Sequence, residues 1–516
     1  MAIRVRRDVV EGPSVDPATT IPDLARLLRE LDDEGIRYCS WKSNEHLAEA
    51  LAGRTDVDLL VDASDLSRFR TILLRHGVKP LLPPPRAAFP GMEHHLGMDR
   101  ASGRQYHLHV HDRLVLGERY VKNYRIPIED EFLSSTGVLL GVPVPRPELE
   151  LGILSARALL KYRPRDVVKD VLGIRTPGLQ SEIRDEIHWL MVQTSIDQVG
   201  ETFRTGAVPS EVVRGFLEVY RRDPRSGLAF LRLRTRLRSS LRGRQRQNRL
   251  RATIAYARTA WMRRKAFRRR APDLRMKPAT GGRTIALIGA DGSGKSTIAA
   301  ELTDWLGWKL QVRAYYMGSK EPSIASRWSY IAFRACRRGS RGVARKLGPS
   351  FAAPLSASRD ILLALHHLSI ARDRRRRHRM AGRDVRSGRI VVFDRYPLEA
   401  VGSDRQHRLL DGPQIASALE ASGARLTRAL ARIEERSYRA FGLPDHLVVL
   451  NVDPVIAVDR KPDHLPEVLA AKSHAVTELA RFAELRHPEV DVINVDASRP
   501  LEEVLTEVRS KVWDVF

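Results

Sequence analysis

The residues best suited to chemistry lie in a glycine-rich run in the C-terminal half of the chain. The segment GADGSGKST, residues 289–297, matches the pattern G-x-x-x-x-G-K-[ST] and stands between an apolar run and a helix-like stretch. In such a loop the backbone N–H groups surround phosphate oxygens, Lys295 reaches the β- and γ-phosphates, and Ser296 holds Mg²⁺. The predicted phosphate-binding residues are Gly289, Asp291, Gly292, Ser293, Gly294, Lys295, Ser296 and Thr297.

A second candidate element is the segment VVFDRY, residues 391–396, in which an apolar run ends in a charged pair. At the end of a buried strand, Asp394 could order Mg²⁺ or its water, and Arg395 could hold a phosphate in the adjacent crevice. Taken alone, the two residues are explained equally well by a surface ion pair. Together with the glycine-rich loop they favour a site for phosphoryl transfer.

The N-terminal part contains a pair of carboxylates, Asp56 and Asp58, in the segment DVDLLVD. Residues i and i+2 of a strand point to the same side, so both carboxylates could ligate one or two divalent ions. Such pairs are also common at strand edges without any catalytic role. Further on, His107, His109 and His111 alternate in HLHVH and would share one strand face, either as a metal site or as surface histidines.

The elements that must position these residues fall into three regions. Residues 21–145 alternate helical leucine patterns with short apolar strands, which predicts an α/β or α+β domain, and residues 146–220 are helical. From residue 282 to 516, strands alternate with helices. Four short runs rich in β-branched residues predict a doubly wound parallel sheet in this region: RTIALIG, RIVVFD, HLVVLNV and VDVINVD.

Residues 221–281 form a predicted linker with a high positive charge. The part from 221 to 277 holds 21 basic side chains and two acidic ones, a net charge of +19 out of +26 for the whole chain. Apolar residues recur there at helical spacing, for example Phe230, Leu233 and Leu237. A basic amphipathic helix fits an anionic membrane surface, nucleic-acid phosphates, or a neighbouring domain against which its apolar stripe packs. The sequence does not choose among these partners, and a homodimer is a further hypothesis.

Composition excludes several classes of protein. The chain has 516 residues, 43% of them hydrophobic, which suggests two or three domains with ample core material. Its two cysteines, Cys39 and Cys336, exclude a disulfide scaffold and a cysteine zinc site, and they favour a reducing compartment. Neither a signal peptide nor a run of about 18 apolar residues is visible, so we expect a cytoplasmic protein, peripheral to a membrane at most.

The motifs of residues 282–516 together resemble the thymidylate kinase-like P-loop kinases. The resemblance rests on GADGSGKST, on Gly388 ahead of VVFDRY, and on PDHLVVLNVDP. It implies an ATP- and Mg²⁺-dependent phosphotransferase in which Asp394 serves the metal or the acceptor. It also implies that Arg395, together with Arg372 or Arg374, holds the acceptor phosphate.

The same resemblance implies a mobile lid that begins at Arg460 and Lys461, with Arg460 acting on the transferring phosphoryl group, and it implies that Ala497 lies near the adenine. The stretch that reads thymine in this family has no match in PLEAVGSDRQHRLLDG, residues 397–412. We therefore expect the acceptor to be a nucleoside monophosphate or another small phosphorylated metabolite. The alternative is an ATP-binding switch that acts at a membrane surface or on nucleic acid through the basic helix.

Residues 21–220 resemble uncharacterised nucleotidyltransferases of the polymerase-β-like α+β fold, whose C-terminal bundle would be the helical part. The resemblance rests on KSN followed by DVDLLVD and later by GRQYHLHVHDRLVLG. It implies that Asp56 and Asp58 position Mg²⁺ for attack on the α-phosphate of a nucleotide. His109 stands where the family has a third carboxylate. Either His109 adapts the chemistry, or the domain binds a substrate without turning it over.

Overall fold

A computed structural model of the chain describes residues 20–85, 87–118, 120–172, 179–204, 207–269, 275–319, 321–397, 411–419 and 425–516. Residues 398–410, which make up most of the predicted departure from the thymine-reading stretch, lie outside the described residues. The chain divides into two compact units, and the boundary between them falls between residues 274 and 275.

The N-terminal unit begins with alternating helices and strands and continues as helices. Its strands are β1 (Tyr38–Ser40), β2 (Val57–Val61), β3 (Lys79–Leu82), β4 (Met92–Met98), β5 (Gln105–His111), β6 (Val115–Glu118), β7 (Val121–Arg125), β8 (Thr136–Leu139) and β9 (Val142–Pro145). Its helices are α1 (Pro22–Asp33), α2 (Leu47–Leu51), α3 (Leu66–Arg75), α4 (Glu129–Ser134), α5 (Pro147–Lys161), α6 (Pro164–Val171), α7 (Ser181–Met191), α8 (Ile196–Thr202), α9 (Ser210–Arg222), α10 (Gly227–Ser240) and α11 (Arg249–Arg269).

The sheet of this unit is mixed, with its strands in the order β1-β2-β5-β4-β3. Strands β2 and β5 are parallel, whereas the other neighbours are antiparallel. Leucines at helical spacing in α1, such as Leu24 and Leu31, share an apolar core with the inward residues of the sheet, such as Leu59 and Leu108. The opposite face of β2, β5 and β4, called the polar face below, carries Asp58 together with His94, His107, His109 and His111.

Helix α10 belongs to the helical core of the N-terminal unit. Its residues Phe230, Leu233 and Leu237 are buried, and the Phe230 ring lies 5.7 Å from that of Tyr162 and 5.4 Å from that of Phe216. The structure therefore differs from the predicted linker 221–281, because the apolar stripe of its first half fills a core with α5 and α9. The apolar stripe of α10 therefore packs inside the protein and is not available to a membrane surface or to nucleic acid.

Helix α11, the second half of the basic segment, presents a different surface. Its apolar residues Leu250, Ile254 and Trp261 are 71%, 57% and 60% exposed. The chain just before it is tied to β7, where the Asn123 side chain donates to the Gln247 carbonyl and accepts from its N–H, both at 2.9 Å. No helix among the described residues is long and apolar enough to cross a membrane.

The C-terminal unit alternates strands and helices throughout. Its strands are β10 (Lys277–Pro278), β11 (Thr284–Gly289), β12 (Val312–Tyr316), β13 (Ile390–Asp394), β14 (His446–Asn451) and β15 (Asp491–Asp496). Its helices are α12 (Lys295–Leu306), α13 (Ile324–Leu347), α14 (Pro349–Arg386), α15 (Ile415–Ala418), α16 (Arg425–Arg439), α17 (Pro454–Arg460), α18 (Pro466–Arg486) and α19 (Leu501–Asp514).

Five strands of this unit form a parallel sheet in the order β12-β13-β11-β14-β15. The predicted parallel α/β sheet is confirmed, and the four predicted runs are β11, β13, β14 and β15. Strand β12 was not predicted, because it lies at the edge and its residues Arg313 and Ala314 are exposed. Strand β11 is the central strand of this sheet. The crossover connections on its two sides run in opposite directions, and in open α/β sheets ligands bind at the carboxyl end of the strands at this point.

A helical hairpin separates β12 from β13. Helices α13 and α14 contain 24 and 38 residues and pack against each other. Gly348, with a φ of 95°, forms the turn, and Pro349 begins α14. The hairpin accounts for most of the long interval between the glycine-rich loop and the VVFDRY strand.

Replacing Phe230 by alanine should destabilise the N-terminal unit by about 3–5 kcal/mol, because a fully buried aromatic ring leaves a cavity. Leu228→Ala is the matched control on the same helix, since the Leu228 side chain is 66% exposed, and its effect should stay within about 0.5 kcal/mol. Urea unfolding of the full-length protein, followed by circular dichroism, measures both variants. If Phe230→Ala and Leu228→Ala both lowered the free energy of unfolding by a similar small amount, the burial of α10 would be contradicted.

Candidate functional site

The phosphate loop, residues 289–297, joins the central strand β11 to helix α12. A Cβ on Gly289 would lie 2.4 Å from the Ser293 Oγ and 2.9 Å from the Leu450 carbonyl oxygen, so only glycine fits there. Gly292 and Gly294 have φ values of 89° and 82°, which glycine adopts without strain. The loop therefore turns sharply into the first turn of α12, where free N–H groups favour an anion.

Lys295, the first residue of α12, is buried at the base of this loop. Its ammonium donates a hydrogen bond of 2.5 Å to the carbonyl oxygen of Ala290. Burial, and after it the nearby positive charge of Arg395, lowers the pKa of Lys295 to about 8. The buried Lys295 ammonium therefore lies where it can interact with an anion that enters the loop.

Asp291 connects the loop to a helix far away in the sequence. Its carboxylate accepts a hydrogen bond of 2.5 Å from Lys472 on α18, and Arg395 lies 3.5 Å away. Burial alone would raise the pKa of Asp291, but the hydrogen bond and charge of Lys472, with Lys295 and Arg395, lower it to about 2. The carboxylate is therefore ionised at neutral pH, and Lys472 is a site residue that the sequence motif did not reveal.

The DR pair ends strand β13, directly beside the loop. Parallel pairing sets Asp394 opposite Leu287 of β11. Among the described residues, no group donates a hydrogen bond to the buried Oδ1 of Asp394. Arg395 has a φ of 70° and donates to the carboxylate of Asp411 at 3.2 Å. The strand register thus brings the two motifs found in the sequence into one crevice.

The two candidate arginines of α14 have different environments. Arg374 is buried, and it donates to the Asp411 carboxylate at 3.0 Å and to the Tyr438 hydroxyl at 2.6 Å. Arg372 is exposed on the helix surface. Asp411 therefore pairs with both Arg374 and Arg395. Sequence spacing did not single out Asp411, which follows a long stretch without a recognisable motif.

Arg460, at the end of α17, lies on another side of the loop. Its guanidinium donates to the Ala497 carbonyl at 2.8 Å and to the Gly292 carbonyl at 3.4 Å. Ala497 is buried directly after β15. The predicted lid arginine and the predicted adenine neighbour therefore contact each other beside the phosphate loop, and Lys461 is exposed.

A second constellation lies on the polar face of the N-terminal sheet. Parallel pairing of β2 with β5 sets Asp58 opposite His109, and antiparallel pairing of β4 with β5 sets His94 opposite His109. The Asp58 carboxylate lies 2.5 Å from the Lys42 ammonium and 3.2 Å from the Nδ1 of His109. Asp56 lies 2.8 Å from the Nδ1 of His107. The two carboxylates and the alternating histidines predicted from the sequence thus lie together, and β4 adds His94.

Electrostatics differ between the members of this constellation. Burial would raise the pKa of Asp58, but Lys42, with hydrogen bonds from His109 and His111, lowers it well below its usual range. Burial lowers the pKa of His111 to about 4. Burial also lowers the pKa of His94 to about 3, with smaller contributions from His109 and His107. At neutral pH the Asp58 carboxylate is therefore ionised, whereas the imidazoles of His94 and His111 are neutral.

Several cations surround the same region. Burial lowers the pKa of Lys122 to about 7, followed by the charges of Lys161, Arg157 and Lys42. Burial likewise lowers the pKa of Lys161 to about 8, followed by Arg157 and Lys42. Lys42, Lys122, Arg157 and Lys161 therefore form a cationic cluster, in which Lys42 pairs with Asp58 and Arg157 pairs with Glu186.

A cavity of about 410 Å³ opens beside this cluster. Lys161, Arg163 and Arg165 line it together with Tyr256 of α11. The Arg163 guanidinium lies 3.3 Å from the centre of the Tyr256 ring, which fits a cation–π contact. Asp166 and Glu182 belong to the same lining, so the cavity presents charges of both signs, and its volume is in the range of small-molecule sites.

Comparisons with known proteins support a nucleotide-binding region in the chain. The "Uncharacterized ATP-binding protein YghS" of Escherichia coli K12 is 29% identical over 226 residues, which cover 43% of this chain and 89% of YghS. The "Uncharacterized ATP-binding protein YghR" of the same strain is 24% identical over 239 residues, covering 44% of this chain and 86% of YghR. No protein-family model matches the chain.

Among solved structures, a deoxyadenosine kinase from M. mycoides with bound dCTP aligns with 44% of this chain and 98% of its own length. The sequence identity is 14% and the TM-score is 0.28, values too low to carry an assignment of substrate. The strand order and the loop geometry of the C-terminal unit remain the basis for its function.

Because the pKa of Lys295 is about 8 in the folded chain and its ordinary value is 10.5, the unfolded state binds more protons between these pH values. Stability contributed by this residue therefore rises with pH. From pH 8 to pH 10, the free energy of unfolding of the wild type should gain about 2 kcal/mol relative to Lys295→Met. Denaturant unfolding at several pH values measures the difference.

Lys461→Met, which removes an exposed lysine of the same unit, controls for the loss of a positive charge. Wild-type and Lys295→Met stabilities that run parallel across this pH range would contradict the burial of the Lys295 ammonium.

Proposed function

We propose that the C-terminal unit is an ATP- and Mg²⁺-dependent phosphotransferase of the P-loop kinase type. The proposal is carried by one observation, the convergence of the phosphate loop with Asp394 and Arg395 at the carboxyl ends of neighbouring parallel strands. The names of the E. coli relatives contain the words ATP-binding protein, which supports ATP as the nucleotide. The acceptor is a nucleoside monophosphate or another small phosphorylated metabolite.

Phosphoryl transfer depends mainly on positioning and on stabilising charge. The loop N–H groups and the first turn of α12 would hold the ATP phosphates, and Lys295 would exchange its hydrogen bond to Ala290 for one to a phosphate oxygen. Anion binding would then favour the charged form of Lys295, whose pKa burial lowers to about 8 in the free protein. Arg395 would neutralise charge on the side facing the acceptor.

The donor set of this crevice fits Mg²⁺. Ser296 is exposed in the first turn of α12, and the buried Oδ1 of Asp394 has no hydrogen-bond donor among the described residues. Hydroxyl and carboxylate oxygens are the ligands that Mg²⁺ prefers, so these two residues would hold it directly or through water. The ion would supply charge neutralisation at the transferring phosphoryl group.

Binding of the acceptor would rearrange an existing ion pair. Asp411 now pairs with both Arg374 and Arg395, and the kinase resemblance assigns Arg395, together with Arg372 or Arg374, to the acceptor phosphate. An entering phosphate would replace the Asp411 carboxylate on Arg395, and Arg374 would keep its bond to Tyr438. The exposed Arg372 has no comparable role in this proposal.

A second candidate function concerns the N-terminal unit, which we propose to be a nucleotidyltransferase-like domain that binds a phosphorylated ligand. The cationic cluster supports binding of an anion, and the adjacent cavity has room for a small molecule. Two features argue against turnover: Lys42 already pairs with Asp58, and His109 stands where the resembled nucleotidyltransferases have a third carboxylate. The domain would then recognise a substrate without transferring a nucleotide to it.

The kinase proposal predicts Mg²⁺-dependent release of ADP from ATP that increases with an acceptor. The purified full-length protein would be given a panel of nucleoside monophosphates, including thymidylate, and other phosphorylated metabolites. Lys295→Ala should abolish release, because the buried cation at the phosphates is lost. Arg395→Ala should raise the acceptor KM about 10- to 100-fold, as expected for a lost charge-assisted hydrogen bond of roughly 1.5–3 kcal/mol.

Arg372→Ala is the matched control, since it removes an exposed arginine of α14 and should leave the acceptor KM unchanged. ATP binding with only slow turnover, independent of every acceptor, would overturn the kinase proposal. That result would leave the ATP-binding switch, with the exposed apolar and basic residues of α11 as the surface to examine next.

A further inference from the structure

Three histidines from two adjacent strands meet on the polar face of the N-terminal sheet. His94 of β4 lies opposite His109 of β5, and His107 is two residues away on the same face. One ring nitrogen from each of the three lies within 4.8 Å of those from the other two. His94 and His107 are buried and His109 is 19% exposed. We propose that this histidine cluster, His94, His107 and His109, binds a divalent transition-metal ion such as Zn²⁺.

Two carboxylates contact the Nδ1 atoms of two of the ligand rings. The Nδ1 of His107 lies 2.8 Å from the Asp56 Oδ1, and the Nδ1 of His109 lies 3.2 Å from the Asp58 Oδ1. When Nδ1–H is donated to a carboxylate, Nε2 carries the lone pair and can ligate a metal. This carboxylate–histidine arrangement is the usual support of metal-binding imidazoles.

His94 supplies the independent observation that points to a ligand. Both of its ring nitrogens are buried, and neither has a hydrogen-bond partner among the residues that the structure describes. Buried polar groups are almost always satisfied, so an imidazole of this kind calls for a partner. A metal ion shared with His107 and His109 would provide it. Ring packing alone explains the contact of His94 with His107, 5.4 Å between centroids, but it leaves the nitrogens unsatisfied.

The donor set favours a transition metal over Mg²⁺. Imidazole nitrogen suits Zn²⁺ and its neighbours, whereas Mg²⁺ prefers oxygen ligands. The Asp58 carboxylate is already paired with Lys42 and is therefore a poor ligand for Mg²⁺. Asp56 and Asp58, expected from the sequence to bind Mg²⁺ directly, would instead orient the histidines.

To bind one metal ion, the three ring nitrogens must come closer together than the 4.8 Å within which they now lie. Nitrogens bound to one tetrahedral Zn²⁺ lie about 3.3 Å apart, given Zn–N bonds of about 2.0–2.1 Å. Small rotations of the three rings would bring the nitrogens to this spacing. The Asp56 Oδ2 is 3.6 Å from the His109 Nε2, and the Asp56 side chain is 30% exposed. The fourth position therefore faces Asp56 and solvent, where water or a phosphorylated ligand could bind.

The test is metal binding by the chelator-treated full-length protein. Zn²⁺ is titrated calorimetrically in excess Mg²⁺, and Co²⁺ is added separately to observe the visible absorption of a four-coordinate nitrogen site. We expect one equivalent of Zn²⁺ bound and a Co²⁺ absorption band. His94→Asn and His109→Asn should each lose both, and Asp56→Asn should weaken binding about 10- to 100-fold.

His188→Asn is the matched control, since His188 contacts the Tyr220 hydroxyl at 3.1 Å on a different part of the unit. It should bind Zn²⁺ and Co²⁺ as the wild type does. Circular dichroism of each metal-free variant verifies folding, and the wild-type Co²⁺ spectrum tests the site without any substitution. The proposal is overturned if the wild type gives no Co²⁺ band, or if folded His94→Asn and His109→Asn keep wild-type stoichiometry. ADP release is a separate readout, so this outcome is distinguishable from failure of the kinase proposal.

Discussion

At Gly289 the chain leaves β11 and turns back so closely that a Cβ would overlap the Ser293 hydroxyl and approach the Leu450 carbonyl of β14. This close approach of backbone to backbone determines the rest of the C-terminal site. It places the loop over the carboxyl end of the central strand, and it starts α12 at Lys295. Because β13 runs parallel beside β11, its final residue Asp394 and the following Arg395 lie at the same edge of the sheet.

The charges of this crevice are organised by residues from distant parts of the chain. Lys472 of α18 and Arg395 both pair with Asp291, and Asp411 pairs with Arg395 and Arg374. A buried ammonium such as Lys295 is costly to keep charged in the free protein, so its position favours function over stability. The network holds cations at the loop in pairs that an anionic ligand can replace.

The polar face of the N-terminal sheet has a different arrangement of charged side chains. There the Asp58 carboxylate pairs with the Lys42 ammonium, and the Asp56 and Asp58 carboxylates contact the Nδ1 atoms of His107 and His109, respectively. Nearby, burial lowers the pKa of Lys122 to about 7 and the pKa of Lys161 to about 8. We propose above that an anion binds at these lysines, which lie beside the face that carries the histidines. Helix α10 supports this unit from within its core, and α11 contributes Tyr256 to the cavity wall.

The residues of local motifs were predictable because their geometry depends on near neighbours: the loop 289–297, the DR pair after an apolar strand, and the alternation of Asp56 with Asp58. Buried strands were recognisable for the same reason, whereas the exposed edge strand β12 carried no apolar signal. The roles of Asp411, Lys472 and His94 could not be predicted from the sequence, because their contacts join residues that are far apart in the chain. Likewise, the apolar stripe of α10 could have packed inside the unit or outside it. Only the folded chain decided this, because burial depends on which surfaces meet.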